Sequence, residues 1–206
     1  MGQRTQLIVR VPPIYWNENN PNNRNERILV FHNQWLYGKS FLKFHSQLLE
    51  DLETLIDKEV NQKSGYPIQW DSILYSCIHH CNFMDLNSQT YTHPYFFGGG
   101  TWNRYNRLVC ATTTECETFR ELLTYVDNNN GYFLIYIDDD LSISYNILSG
   151  LEDMDQIMPV DPNRYYRLFY PNGDIPEWIA YVIKHIGMFP VVDIKQFESC
   201  WGRILE

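Results

Sequence analysis

Apolar and polar positions alternate over Thr5–Val11, which is rich in β-branched residues and predicts a strand ended by Pro12–Pro13. A second strand is predicted over Arg27–Trp35. It should pair antiparallel with the first, across the Asn-crowded loop Tyr15–Glu26. The period then changes. Over Lys39–Lys63 the apolar residues Phe41, Phe44, Leu48, Leu52 and Leu55 recur at helical spacing, so they form one buried stripe. Glu50, Asp51, Asp57 and Lys58 lie off it. Asp71–Met84 reads as a second helix with Asp71 as cap. The stretch 85–107 holds Pro94, three consecutive Gly and six aromatics, and it matches no regular period.

Arg107–Ala111 reads as a short strand. Thr114 and Glu117 stand at the spacing of a capping box, ahead of a helix that runs to about Tyr125 and buries Phe119, Leu122, Leu123 and Val126. Gly131–Leu148 is the clearest hairpin. Its first arm is apolar on both faces and predicts an interior strand. In the second arm Leu141, Ile143, Tyr145 and Ile147 alternate with Ser142, Ser144 and Asn146, which predicts one buried and one wet face. Asp138–Asp140 make the turn. Past a linker through Pro159, Asp161 and Pro162, Arg164–Tyr170 reads as a strand. Asp174 is expected to cap a helix with Pro176 near its start and Gly187 at its stop. Asp193 should cap a last helix carrying Phe197, Trp201 and Ile204. The sum is one α+β domain over 1–206: a mostly antiparallel sheet with helices packed on one face, and a helical C-terminal subregion over 174–206.

Composition narrows the class of function. Charged residues make up 20% and hydrophobic residues 44%, which is ordinary for a folded chain. Aromatics reach 16%, which favours a protein that holds something. The net charge of −9 opposes binding to a nucleic-acid backbone, where Lys and Arg must displace counterions. No apolar run approaches the roughly 18 residues of a membrane span, and the N-terminus lacks the apolar core of a signal peptide. Five Cys without framework spacing read as reduced thiols, so the expected compartment is the cytoplasm.

Two pieces resemble a known group. The opening Met-Gly-Gln-Arg-Thr with its strand, followed by Ile28–Gly38 entering a helix, is similar to small phage and bacterial proteins that begin Met-Gly-Thr-Arg-Ser/Thr. Gly131–Asp138 resembles the late strand of that group. The matching residues are Gly2, Arg4, His32, Trp35 and Tyr37. Gln3 and the run Leu36 to Gly38 depart from the group's pattern. The resemblance implies a small α+β fold of phage or prophage origin, and it implies no reaction.

Several clusters carry candidate chemistry. On a helix, Cys77, His80 and Cys81 would share a face, and thiolates with imidazole suit Zn²⁺. Cys110, Cys116 or His93 would complete the set; core packing of free thiols is the plainer reading. Otherwise no cofactor is expected. In Phe96–Arg107 the three glycines Gly98, Gly99 and Gly100 allow close backbone approach to an anion. Arg104 and Arg107 supply charge there, and Trp102 and Tyr105 supply stacking faces. The plainer reading is a turn anchored by aromatics. His32, Trp35 and Tyr37 sit at a strand end within reach of Arg4 if the first two strands pair. Asp138–Asp140 would suit Mg²⁺ or Ca²⁺, although Asp favours turns for its own backbone bonding. The span Ala111–Asp161 carries many carboxylates against a single cation, Arg120, and would meet a basic partner.

No nucleophile-elbow, zincin or dinucleotide-binding signature is present. The leading expectation is therefore a non-enzymatic protein-binding protein. It would be phage- or prophage-encoded and would act on a host defence or regulatory protein through acidic and aromatic surfaces. The alternative is a nucleotide- or phosphoester-handling enzyme built on Gly98–Gly100 and Arg104.

Overall fold

The computed structural model describes residues 4–13, 26–34, 36–61, 74, 92–94, 117–125, 130–149 and 157–205. Its strands are β1 (Arg4–Val11), β2 (Arg27–Gln34), β3 (Thr92–Pro94), β4 (Tyr132–Ile137) and β5 (Ile143–Leu148). Its helices are α1 (Gly38–Asn61), α2 (Phe119–Tyr125), α3 (Pro162–Phe169), α4 (Glu177–Ile186) and α5 (Ile194–Leu205). The strands form one sheet in the order β3-β2-β1-β4-β5. The expected pairing of β1 with β2 is antiparallel, with Leu7 opposite Phe31. The sheet is mixed, however, because β1 and β4 run parallel, with Ile8 opposite Leu134.

The expectation of helices on one face is overturned. β4 is apolar on both faces and β1 is buried on both, so each face needs its own cover. Leu7, Val9, Phe133, Ile135 and Ile137 pack against Phe41, Leu48 and Leu52 of α1, Tyr165 of α3 and Ile179 and Ile186 of α4. Ile8, Tyr132, Leu134 and Tyr136 pack on the opposite side against Phe119 and Leu122 of α2 and Phe197 and Trp201 of α5. Five of six positions in β5 are buried, so its polar alternation does not make a wet face. Asn146 is turned inward, and its side-chain amide donates to the Val192 carbonyl at 2.7 Å.

The outer edge of β5 is also covered. Tyr145 donates its N–H to Pro190 and accepts from Val192 N–H at 2.9 and 2.8 Å. Further along, Ser149 N–H donates to the Met158 carbonyl and Val160 N–H to the Ile147 carbonyl.

Arg164–Tyr170 is helical in α3, against the strand reading. Asp161 caps it, accepting from Arg164 N–H at 2.9 Å, and Pro162 at the first turn has no N–H to lose. The cap of α2 is also displaced from the expected one. Thr118 Oγ1 accepts from Glu121 N–H at 3.1 Å, and the Glu121 carboxylate accepts from Thr118 N–H at 3.2 Å. Asp174 does not cap α4; Pro176 stands there, and its carbonyl accepts from Ile179 and Ala180 N–H. Asp193 does cap α5, accepting from Lys195 N–H at 3.0 Å. Gly38 opens α1 at φ +54°, where a Cβ would be strained and would meet the Tyr170 ring at 3.1 Å. Among the described residues no helix is long and apolar enough to cross a membrane. The expected helix over Asp71–Met84 and the short strand Arg107–Ala111 lie outside the described residues, Leu74 apart.

Candidate functional site: an acidic-rimmed cleft

Three segments remote in sequence meet at a cleft of about 520 Å³. That is within the usual range of ligand sites, roughly 300–1,000 Å³. The first wall is α1. Ser46, Glu50, Glu53 and Asp57 follow one another at helical spacings, so they run down one side of that helix. Glu53 and Asp57 line the cleft, with Ile56 between them turned into the core. The second wall is the hairpin tip, Asp140 to Ile143. The third is the turn Met188–Pro190 that leaves α4.

The floor is apolar and the rim is not. Ile56 and Ile143 are buried, and Leu141 and Phe189 pack partly against the core. Glu53, Asp57 and Asp140 are exposed at the rim, and none of the described lining residues is Lys or Arg. Hydrogen bonds from Ser142 hold the Asp140 carboxyl below its usual range, so this part of the rim is anionic at neutral pH. Leu141 has φ 70°, a left-handed backbone that a branched side chain adopts only at a cost. It is held by its N–H to the Asp138 carbonyl at 3.0 Å and by its packing on the core.

An aromatic row leads out of the cleft along α4. Phe189 meets the edge of His185 at 5.8 Å between ring centroids, and His185 stacks on Tyr181 at 6.4 Å and 4°. Tyr181 is 71% exposed and Trp178, one turn further, 48%. His185 Nδ1 lies 2.8 Å from Ser46 Oγ of α1, which ties the two helices together. A serine beside an imidazole is the pair from which nucleophiles are built. Here Ser46 is buried within α1, where backbone N–H groups are spent on the preceding turn, so its own backbone forms no oxyanion hole. The pair works as a tie between helices.

The acidic tip has other duties beside the cleft. Asp139 accepts from Arg10 at 2.8 Å, and Asp138 accepts from the Asp139 N–H at 2.7 Å. Arg10 is 3% exposed; it also donates to Glu26 at 2.7 Å and to the Ile137 carbonyl, and its guanidinium lies over the Tyr136 ring at 4.7 Å. Arg203 of α5 donates to the same Glu26 at 2.8 Å. Burial opposes charge on Arg10, but its bonds to Asp139 and Glu26 outweigh that and raise its pKa. Burial likewise opposes charge on Glu26, and its two arginines win and lower it. The thiol of neighbouring Cys200 is pushed up by burial. This network braces the sheet against α5.

The sequence candidates separate accordingly. Gly98, Gly99, Gly100, Trp102, Arg104, Tyr105, Arg107, Trp35, Cys77, His80 and Cys81 lie outside the described residues. The register sets Arg4 opposite Gln34, and His32 opposite Gln6 on one side and His93 on the other. Tyr37 sits half-exposed with its ring 5.8 Å from Phe169. Of the acidic span, Glu121 and Asp161 cap helices, and Asp140 alone among the described residues lines the cleft. Among the described residues no group of three or more His, Cys, Asp or Glu is arranged to hold a metal ion. Sequence reasoning missed Glu53, Met188, Phe189 and Pro190, whose only signal is polar or apolar character outside the core stripes. No protein-family model, curated protein or solved structure matches the chain.

Proposed function

We propose that this chain is a non-enzymatic binding protein that holds a segment of a protein partner in the cleft between α1, the hairpin tip and the 188–190 turn. The observation that supports this is the cleft itself. An apolar floor gives contact area, and the Glu53, Asp57 and Asp140 carboxylates around it select by charge. A narrower version makes the partner a host defence or regulatory protein, met in a reducing cytoplasm by a phage- or prophage-encoded chain. That version rests on Gly2, Arg4, His32, Trp35 and Tyr37 and on the Cys usage.

Panning a random-peptide library on the protein tests the reading. Recovered peptides should bind a Glu53→Lys/Asp57→Lys variant at least about tenfold more weakly, since reversing two charges beside an apolar contact repels what was attracted. Peptides that bind both proteins equally, or a library that yields no binder, would overturn it. Glu53 and Asp57 are exposed and core-free, so the variant should melt as the parent does.

A further inference from the structure

We propose that the segment held is a basic amphipathic helix, with its cations in the cleft and its apolar face on the aromatic row of α4. This rests on the cleft being the binding surface. Two features of the site fix the ligand's chemistry.

The first is charge. The cleft offers carboxylates at its rim, an apolar floor beneath them, and no lining cation among the described residues. A Lys or Arg side chain fits both layers at once, with its methylene stem against Ile56, Ile143 and Phe189 and its head among Glu53, Asp57 and Asp140. An acidic or purely apolar segment leaves the carboxylates repelled or desolvated.

The second is the row itself. From His185 through Tyr181 to Trp178 it runs along α4, a length of roughly 10 Å at 1.5 Å per residue, and Phe189 in the turn beyond carries it to the cleft. Its outer end is exposed aromatic surface with a polar tip, a combination enriched where proteins bind. A partner helix of about two turns spans the part on α4 and a further turn reaches the cleft, and its residues at three- and four-residue spacing present one apolar stripe to the row. The Ser46–His185 bond holds α1 against α4, so acidic wall and aromatic row keep a fixed offset. The ligand must therefore carry its cations at one end of its apolar stripe.

The test uses a stapled helical peptide of roughly fourteen residues, long enough to cover both parts. It carries two Arg at one end of a Leu stripe, beside an isomer with the same residues dispersed around the helix. Fluorescence anisotropy on the full chain should give at least about tenfold tighter binding for the ordered peptide. Tyr181→Ala/Trp178→Ala should weaken it roughly tenfold by removing exposed aromatic anchors. Equal binding of the two isomers overturns the proposal, and so does equal binding of a proline-broken peptide. If the double alanine variant binds normally while Glu53→Lys/Asp57→Lys does not, the row is uninvolved and the cleft reading survives alone. If library-derived binders also ignore the charge reversal, both fall.

Discussion

His45 shows how much one side chain can set. It is fully buried on α1, with its ring stacked on Phe133 at 4.1 Å and 7°. Its Nδ1–H donates to the Phe41 carbonyl at 2.8 Å, and Nε2 has no hydrogen-bond partner. Desolvation outweighs the Phe41 bond and lowers its pKa from 6.5 to about 3. The unfolded chain therefore binds a proton below pH 6.5 that the folded chain refuses. Stability is full above that pH and falls as the solution is acidified toward pH 3. Between pH 7 and pH 5 the loss from this group should be about 2 kcal/mol. Urea unfolding at the two pH values measures it, and His45→Phe should flatten that part of the slope. An unchanged slope in the variant would mean that the imidazole reaches water in the folded state. Arg10 is the opposite case, a buried charge kept ionised by its partners. Nothing in the sequence near Val9 or Val11 marked it, since Glu26 and Asp139 reach it only through the fold.

At the scale of elements, local chemistry decided more than propensity. Arg164-Tyr-Tyr-Arg-Leu-Phe-Tyr170 is aromatic enough to suit a strand, but Asp161 and Pro162 in front of it make a helix start. Around α2 the pattern Thr-x-x-Glu occurs three times, at Thr112, Thr114 and Thr118. The last is the one seen capping α2, and it places Phe119, Leu122 and Leu123 on the sheet. Thr118→Ala and Asp161→Ala should each cost about 1 kcal/mol in chemical denaturation, with Asp161→Asn close to neutral. A cost near zero for both would show that packing alone sets these helix starts. β1, α1 and the second hairpin arm were legible because each has a clean period of its own, and β2 and β4 because each is a short apolar run. The cleft was not, because residues 53–57, 140–143 and 188–190 carry no common signal along the chain. Glu53 and Asp57 look like any solvated helix face until the turn after α4 is folded beside them.

For the whole molecule, a sheet covered on both faces at β1, β4 and β5 makes its border the place where another chain could pair. β5 forms one border, and the passing backbone at 158–160 and 190–192 occupies outward groups of Tyr145 and Ile147. A strand border left bare is a template on which another chain can add itself, repeatedly and without limit. Here those rungs of the template are filled by the chain's own turns. The same turn that supplies Met188 and Phe189 to the cleft also blocks the border, so binding and resistance to aggregation share a few residues. Val192→Pro removes the N–H that Tyr145 accepts and should expose this border. Light scattering against protein concentration should then show growing assemblies where the parent stays clear, and a variant that also stays clear would place the protection elsewhere. A partner that engages this side at Tyr145 and Ile147 must do so through side chains, because backbone groups on which fibril-like growth would start are already bonded there.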